Sequence, residues 1–320
     1  MTQSGSLSVV RPSTRAWVSR YLHAGERIID AEALTGGITA EVAKLTVRMV
    51  SGAERYLVLR SYTDSARLHH AEDWLDRESN ALATLSGSCV PAPELVAVDP
   101  RAGYCEFPSL LMTHLPGSTL LIDESVEVRV RMLARQLVEI HALDANSRPR
   151  EYQVLTTADT VVLPARADAT VWSAAVDLIR GPTPRYEGRF LHRDFQPGNV
   201  LFDISDSGML RITGVVDWAG ASWGPTDLDV AHCSTNLALL HGPQWGSRFA
   251  SAYEEAGGTL SNNSRSRQYW RVRDALACSA EVQLWASPWR DAGRTDLTPS
   301  VVEERLCAYV RLLMDAPQAR

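Results

Sequence analysis

The stretch Leu191–Trp218, LHRDFQPGNVLFDISDSGMLRITGVVDW, constrains this chain more than any other part of its sequence. Three of its side chains carry hard oxygen atoms at a defined spacing: Asp194, Asn199 and Asp217. Asp194 and Asn199 lie five residues apart on a tight Pro-Gly loop, and Asp217 follows 23 residues after Asp194 at the end of a short apolar strand. The pattern predicts a catalytic loop followed by a metal-binding hairpin.

These side chains suit the transfer of a phosphoryl group. The reaction needs a carboxylate that orients the acceptor hydroxyl and takes its proton, and it needs cations over the phosphate oxygens. Asp194 fits the carboxylate role, while Asn199 and Asp217 are ligands of the kind that Mg²⁺ prefers. His192 is expected to brace the loop by hydrogen bonding rather than to move a proton. A surface loop with capping Asp and Asn residues would explain any one of these side chains, but not the whole set beside an apolar strand.

Composition and charge restrict the partners that the chain can have. It has 320 residues and a formal net charge of −6. Nucleic acid or an anionic membrane surface would require a basic patch, so small-molecule chemistry is favoured and neither partner is expected. The N-terminal segment lacks the apolar run of a signal peptide, no stretch approaches the ~20 apolar residues of a membrane span, and the five cysteines are scattered without metal-ligand spacing. We therefore expect a cytoplasmic protein that is a monomer or a weak dimer.

Apolar periodicity divides the chain into a strand-rich part and a helical part. Three strand-like runs at 28–34, 40–49 and 55–62 predict an antiparallel meander, and residues 66–85 have helical spacing. Two further strands at 95–98 and 109–112 complete a five-stranded sheet that carries one helix. A Pro-Gly connection predicts a boundary near Gly117, with one lobe at 1–116 and a larger, mostly helical lobe at 117–320.

The motif pair HRDFQPGNVLF and GVVDW resembles the aminoglycoside phosphotransferase family of small-molecule kinases, which are relatives of the protein kinases. The resemblance implies an α+β, bilobal, protein-kinase-like fold, with the nucleotide bound by lobe 1–116 and with catalysis and substrate binding in lobe 117–320. It implies that Asp194 is the catalytic aspartate and that Asn199 and Asp217 hold the Mg²⁺ of ATP or GTP. Asp229, in the segment GPTDLDVAH, would anchor the catalytic loop. The hinge whose backbone pairs with the purine would comprise Met112, Thr113, His114 and Leu115.

Two residues depart from the family pattern. The catalytic loop reads His-Arg-Asp where the antibiotic kinases usually read His-Gly-Asp, so the role of Arg193 stays open. The third strand ends in Arg60 where kinases place a lysine that holds nucleotide phosphates and pairs with a helix glutamate, here Glu78. Arg60 keeps the positive charge and can bind phosphate oxygens in fork geometry. Lys44 on the second strand is the alternative phosphate ligand, and it is the one lysine of the chain.

The turn TGGIT at 35–39, between the first two strands, contains two adjacent glycines. Such a turn would let backbone amides approach a phosphate, so Gly36 and Gly37 are candidate nucleotide contacts. An ordinary hairpin turn explains the same two glycines. The choice between these interpretations depends on the motifs downstream.

The acceptor is expected to be a hydroxyl of a small molecule, with an antibiotic such as an aminoglycoside as the first candidate. A polycationic acceptor needs an acidic surplus, yet residues 251–320 hold nine acidic residues against nine arginines. Asp274 and Glu281 are candidate local contacts, and Trp285 is a candidate apolar wall. A macrolide, a nucleoside or another natural product therefore stays open, as does a housekeeping acceptor such as choline, an amino alcohol or a sugar. A pseudokinase is the alternative from another class, although the complete catalytic set argues against it.

Overall fold

The structure, a computed structural model, describes residues 9–34, 40–144, 149–154, 156–280 and 282–316. The chain divides into two units, each held together by its own internal contacts. The first unit runs to Pro116 and also contains the short segment Val216–Gly220, whereas the second contains Gly117–Val215 and the chain from Ala221 onward. Asp217 therefore belongs to the first unit, which the sequence did not indicate.

The first unit is built on a five-stranded antiparallel sheet. Its elements, in chain order, are α1 (Pro12–Ser19), β1 (Arg27–Leu34), β2 (Glu41–Arg48), β3 (Glu54–Ser61), α2 (Leu68–Leu85), β4 (Leu95–Asp99) and β5 (Ser109–Thr113). The strand order is β1-β2-β3-β5-β4, so the first three strands form a meander and β5 lies between β3 and β4. The predicted sheet is confirmed, with small differences in where its strands end.

Alternating apolar side chains bury one face of this sheet. In β2, Ala43, Leu45 and Val47 are buried while the residues between them are more exposed, as the period of two in a strand requires. Trp17 of α1 packs into the same apolar cluster. The buried stripe of α2 is apolar except for Glu78, so this carboxylate needs a partner.

The second unit is dominated by helices. Its elements, in chain order, are α3 (Val126–His141), α4 (Ala169–Arg180), β6 (Arg189–Leu191), β7 (Val200–Ile204), β8 (Leu210–Val215), β9 (Ser222–Gly224), α5 (Thr226–His241), α6 (Pro243–Glu255), α7 (Ser264–Ala277), α8 (Val282–Asp291) and α9 (Pro299–Asp315). The short strands form two pairs, β6 with β9 and β7 with β8. Together with the sheet of the first unit, these helices confirm the predicted α+β class.

Helix α5 forms the centre of the second unit. Every residue from Asp227 to His241 is buried, because α6, α7 and α9 all pack against it. A helix without a solvent face must accommodate its polar side chains through internal partners. Two of those polar residues, Asp229 and His232, lie three positions apart and therefore on one face of the helix.

The predicted catalytic loop connects β6 to β7. After the loop, β7 and β8 form a hairpin in which Val200 pairs with Val215. The hairpin therefore returns the chain to the end of the loop, two residues before Asp217. Across the described residues, no helix combines the length and the apolar character that crossing a membrane requires.

Candidate active site

A single buried carboxylate, Asp229, holds the start of the catalytic loop. Its Oδ2 accepts a hydrogen bond from the backbone N–H of His192 at 2.8 Å, and its Oδ1 accepts one from the backbone N–H of Arg193 at 2.8 Å. His141 Nε2 lies 3.2 Å from Oδ2. Burial alone would raise the pKa of Asp229, but the hydrogen bond from His141 and the charges of His141 and Arg193 lower it to about 2. Asp229 is therefore an ionised acceptor that fixes two consecutive peptide groups.

Arg193 has a left-handed backbone, with φ of +71°. Only glycine adopts this region without a steric penalty, which explains physically why a glycine at this position suits the same loop. The Asp229 hydrogen bond to the Arg193 N–H compensates for that penalty here. The next backbone N–H, that of Asp194, donates to His192 Nδ1 at 3.2 Å, so the His192 ring braces the loop from inside.

Both oxygens of the Asp194 carboxylate have polar partners. Asn199 Nδ2 donates to Asp194 Oδ2 at 2.8 Å and to the Asp194 backbone oxygen at 2.8 Å. His232 Nε2 lies 3.0 Å from Asp194 Oδ1. Burial alone would raise the pKa of Asp194, but the hydrogen bond and charge of His232, followed by the charge of His192 and the Asn199 bond, lower it. About 40% of the side chain is still exposed, so the carboxylate is ionised and reachable.

The first unit contains a second charged cluster, made of Arg60, Glu78 and Asp217. Arg60 Nη1 lies 2.9 Å from Glu78 Oε2 and 2.9 Å from Asp217 Oδ1. Burial alone would lower the pKa of Arg60, but the charges of Asp217 and Glu78 raise it. Asp217 has a left-handed backbone, with φ of +67°, and its side chain is 36% exposed. Glu78 thus has the partner that its burial demands, and Arg60 is held by two carboxylates.

Each unit contains one side chain of the kind that would suit the Mg²⁺ that the family resemblance implies. Both hydrogen bonds of the Asn199 amide nitrogen go to Asp194, which leaves the amide oxygen for a cation. Asp217 Oδ1 accepts a hydrogen bond from Arg60, which leaves Asp217 Oδ2 for a cation. An amide oxygen and a carboxylate oxygen are hard ligands of the kind found in sites where Mg²⁺ also binds substrate phosphates and water.

The structure separates the two candidate phosphate-binding cations. Arg60 contacts Glu78 and Asp217, whereas the Lys44 ammonium lies over the ring of Tyr56, 4.6 Å from its centroid. His114 packs edge-on against the same ring at 5.8 Å, and burial followed by the charge of Lys44 lowers the pKa of His114. Lys44 is therefore associated with the predicted hinge rather than with the Arg60 cluster.

The four predicted hinge residues differ in whether their backbones are hydrogen-bonded in the sheet. Met112 lies in β5 with Val58 on one side and Leu95 on the other. Thr113 ends β5, and the His114 N–H donates to the Tyr56 oxygen at 3.2 Å. The backbone of Leu115 comes after the last paired residue. Of these four residues, Leu115 is the one whose backbone the sheet does not pair, and the purine contact stays a prediction.

The remaining predicted site residues fall into two groups. Gly36, Gly37 and Glu281 lie outside the described residues, so their predicted contacts stay predictions. Asp274 and Trp285 are both placed beside His232: Asp274 Oδ1 lies 3.3 Å from His232 Nδ1, and the Trp285 ring centroid lies 5.8 Å from that of His232. Both predicted acceptor contacts are thus one side chain away from Asp194.

The sequence motifs indicate no role for His232 or for His141. His141 is packed, and its second ring nitrogen lies 2.7 Å from the Tyr253 hydroxyl, so it supports Asp229 from behind. A signal for His232 was present in the sequence. If Asp229 faces the catalytic loop, then the residue three positions later on the same helix faces it too.

The fold and the catalytic loop together define a phosphotransferase with kinase-like architecture, directed at a hydroxyl group. The chain belongs to the phosphotransferase enzyme family, because the model of that family matches residues 37–273. The predicted family and enzyme class are both confirmed. A comparison with curated protein sequences finds no match.

Solved structures of similar fold cover almost the whole chain at low sequence identity. A thermostable mutant of aminoglycoside phosphotransferase APH(4)-Ia, in complex with AMP-PNP and hygromycin B, is 18% identical with a TM-score of 0.61, covering 96% of this chain and 100% of that one. A macrolide 2'-phosphotransferase type I is 19% identical with a TM-score of 0.57, covering 99% and 100%. An aminoglycoside-3'-phosphotransferase of type VIII is 20% identical with a TM-score of 0.56, covering 84% and 99%. At these identities the likeness shows the fold.

Replacement of Arg193 should reveal the backbone strain at this position. Arg193→Gly removes the penalty of the left-handed conformation, whereas Arg193→Ala keeps it, and both remove the guanidinium. We expect the glycine variant to be more stable than the alanine variant by about 0.5–1 kcal/mol, after allowance for the greater freedom of unfolded glycine. Urea unfolding of the two variants measures this difference. Equal stability, or a more stable alanine variant, would show that the strain is absent.

Removal of the Asp229 charge should change how stability depends on pH. A carboxyl with a pKa of about 2 in the folded chain and ~3.9 when unfolded stabilises the fold above ~pH 4, and this contribution is lost as the pH falls towards 2. Between about pH 6 and pH 3 the wild type should lose about 1 kcal/mol that Asp229→Asn does not lose. The variant should also be less stable at neutral pH, because an amide cannot accept all three bonds.

Urea unfolding at several pH values tests this expectation. Asp206→Asn is the control, since Asp206 is exposed in the turn between β7 and β8. Parallel pH curves for the wild type and Asp229→Asn would contradict the assignment of Asp229 as a strongly acidic, buried anchor.

Proposed function

We propose that the protein transfers the γ-phosphate of ATP or GTP to a hydroxyl of a small molecule, with an antibiotic as the first acceptor class. The observation that carries this proposal is the state of Asp194. Its carboxylate is ionised, partly exposed and held at both oxygens, which is the arrangement that a base for an acceptor hydroxyl needs.

Each of the predicted site residues has a defined role in the proposed reaction. Asp194 orients the acceptor hydroxyl and takes its proton as the new oxygen–phosphorus bond forms and the bond to the β-phosphate oxygen breaks. Asn199 and Asp217 would hold Mg²⁺ through one oxygen each. When bound, that ion neutralises charge on the phosphate oxygens. Arg60 binds phosphate oxygens while Glu78 keeps it in place.

The acceptor class is narrowed by Asp274. A polycationic aminoglycoside needs carboxylates that are free to bind ammonium groups, but Asp274 Oδ1 is directed at His232. This pairing favours a neutral or weakly charged acceptor. A macrolide is therefore the second candidate, after an aminoglycoside. The solved structures of similar fold include enzymes of both kinds. Choline, an amino alcohol, a sugar or a nucleoside would require the same Asp194 chemistry.

A screen of acceptors tests the proposed function. The full-length protein is incubated with Mg²⁺, ATP or GTP, and hygromycin B, kanamycin, erythromycin or choline, and phosphorylated products are detected by mass spectrometry. Product with one acceptor identifies its class and the preferred nucleotide. Nucleotide binding without transfer to any acceptor or to water would instead support the pseudokinase alternative. Size-exclusion chromatography of the same sample tests the expected monomer or weak dimer.

Asp194→Asn should reduce kcat by roughly 10²–10⁴-fold, because the amide has nearly the same shape but cannot take a proton. Circular dichroism and the melting temperature should stay close to those of the wild type. Asp206→Asn serves as the matched control, since it makes the same chemical change at an exposed turn. Normal turnover in Asp194→Asn would exclude Asp194 as the base.

The choice between Arg60 and Lys44 can be tested with one matched pair of neutral, long side chains. Arg60→Gln should raise the KM for the nucleotide by about tenfold or more, because it removes a charged hydrogen-bond donor to phosphate. Lys44→Gln should change that KM by less than about threefold, a much smaller effect than loss of a charged bond would produce. Steady-state kinetics with varied nucleotide measures both. The opposite order would assign the phosphates to Lys44.

A further inference from the structure

We propose that His232 is a positioning residue for phosphoryl transfer: Asp274 holds its imidazolium, and the imidazolium holds the Asp194 carboxylate. The inference rests on the proposed function, since it assigns a supporting residue to the proposed base. It adds a residue from α5 and one from α7 to the reaction. We call the three side chains the Asp194–His232–Asp274 triad.

The geometry of this triad requires a doubly protonated His232 ring. His232 Nε2 lies 3.0 Å from Asp194 Oδ1, and Nδ1 lies 3.3 Å from Asp274 Oδ1. An ionised carboxylate can only accept hydrogen bonds, so a ring with a carboxylate at each nitrogen satisfies both by donating from both. The side chains of His232 and Asp274 are only 11% and 12% exposed, so water does little to weaken these contacts.

The electrostatic environment agrees with this assignment. Burial alone would lower the pKa of His232, but the charge of Asp274 and the hydrogen bonds with Asp194 and Asp274 raise it to about 10. Asn236 Nδ2 is 3.2 Å from His232 Nε2, but it donates to the His232 backbone oxygen at 3.0 Å and so does not depend on the ring as an acceptor. A neutral ring that accepted from Asn236 would turn a lone pair towards Asp194 Oδ1, which the 3.0 Å separation disfavours.

Two opposite contacts fix the orientation of the Asp194 carboxylate. His232, on α5, donates a hydrogen bond to Asp194 Oδ1, and Asn199, in the loop, donates one to Asp194 Oδ2. Rotation of the carboxyl group would break both bonds, so the plane of the group is set before an acceptor arrives. Each oxygen can still accept a further hydrogen bond, which leaves room for the acceptor hydroxyl.

Asp274 is harder to explain by stability alone. Its Oδ2 is buried and has no hydrogen-bond partner among the described residues, which is an unfavourable environment for a carboxylate. A buried carboxylate in this state is explained if its task is to keep His232 charged. The ring of Trp285 packs beside the imidazole, with the two ring planes tilted by 54°.

The kinetics of magnesium-dependent ATP hydrolysis test this inference without knowledge of the acceptor. Phosphate release from Mg²⁺–ATP is measured for the full-length wild type, His232→Gln, His232→Leu, Asp274→Asn and the double variant His232→Leu/Asp274→Asn. Gln can place an amide N–H near the position of Nε2, whereas Leu cannot donate at all. His241→Gln is the matched control, because His241 is also a buried α5 histidine that contacts an aspartate, Asp123.

We expect His232→Leu to lower kcat by roughly 10²-fold while the KM for Mg²⁺–ATP changes by less than about twofold, since a misplaced base affects the chemical step rather than nucleotide binding. His232→Gln should recover part of that loss. Asp274→Asn should lower kcat by about tenfold in the wild type but have no further effect in the His232→Leu background, because residues that act through one another are not additive. His241→Gln should keep kcat within about twofold of the wild type.

Several results would overturn the inference. A kcat for His232→Leu within twofold of the wild type, or no recovery by His232→Gln, would show that the hydrogen bond to Asp194 does not matter. Loss of folded structure in both His232 variants, seen by circular dichroism, would show a structural role instead. Equal hydrolysis by the wild type and Asp194→Asn would contradict the proposed function itself, whereas an inactive Asp194→Asn beside a fully active His232→Leu would contradict the positioning role alone.

Discussion

The predicted catalytic loop depends on one buried carboxylate, Asp229. Because it accepts from the backbone of His192 and of Arg193, it fixes two successive peptide groups and holds Arg193 in a left-handed conformation that this side chain would otherwise avoid. That conformation turns the chain so that Asp194 can meet Asn199 and His232. The geometry of the proposed base is therefore set by a residue that does not touch Asp194.

Helix α5 connects the support of the loop with the support of the base. Asp229 and His232 are one turn apart on this helix, so a single rigid element contacts both the backbone of the loop and the carboxylate at its centre. The polar residues on α5 face low-dielectric surroundings, where paired contacts are strong and unpaired ones are unfavourable. This explains why the helix can be buried on all sides and still carry Asp229, His232 and Asn236.

Much of this arrangement could be predicted from local sequence. The five strands were found from apolar alternation, and the loop from the spacing of Asp194, Asn199 and Asp217, because both signals lie within short segments of the chain. The pairing of Arg60 with Glu78 was expected from the resemblance to kinases, and the two side chains form an ion pair. The contacts of His232 with Asp194 and Asp274 join residues 38 and 42 positions apart, and tertiary packing alone brings them together. No local pattern encodes such contacts, although the position of His232 on the Asp229 face of α5 gave a partial signal.

The complete burial of α5 also restricts how this enzyme can diverge. A helix without a solvent face offers few positions where a substitution is neutral, since each side chain touches neighbours that would have to change with it. The residues that support the predicted loop and those that support the proposed base are therefore constrained together. Substitutions are better tolerated on more exposed elements such as α8, where residues like Leu284 can change without disturbing the helix that supports the predicted catalytic loop.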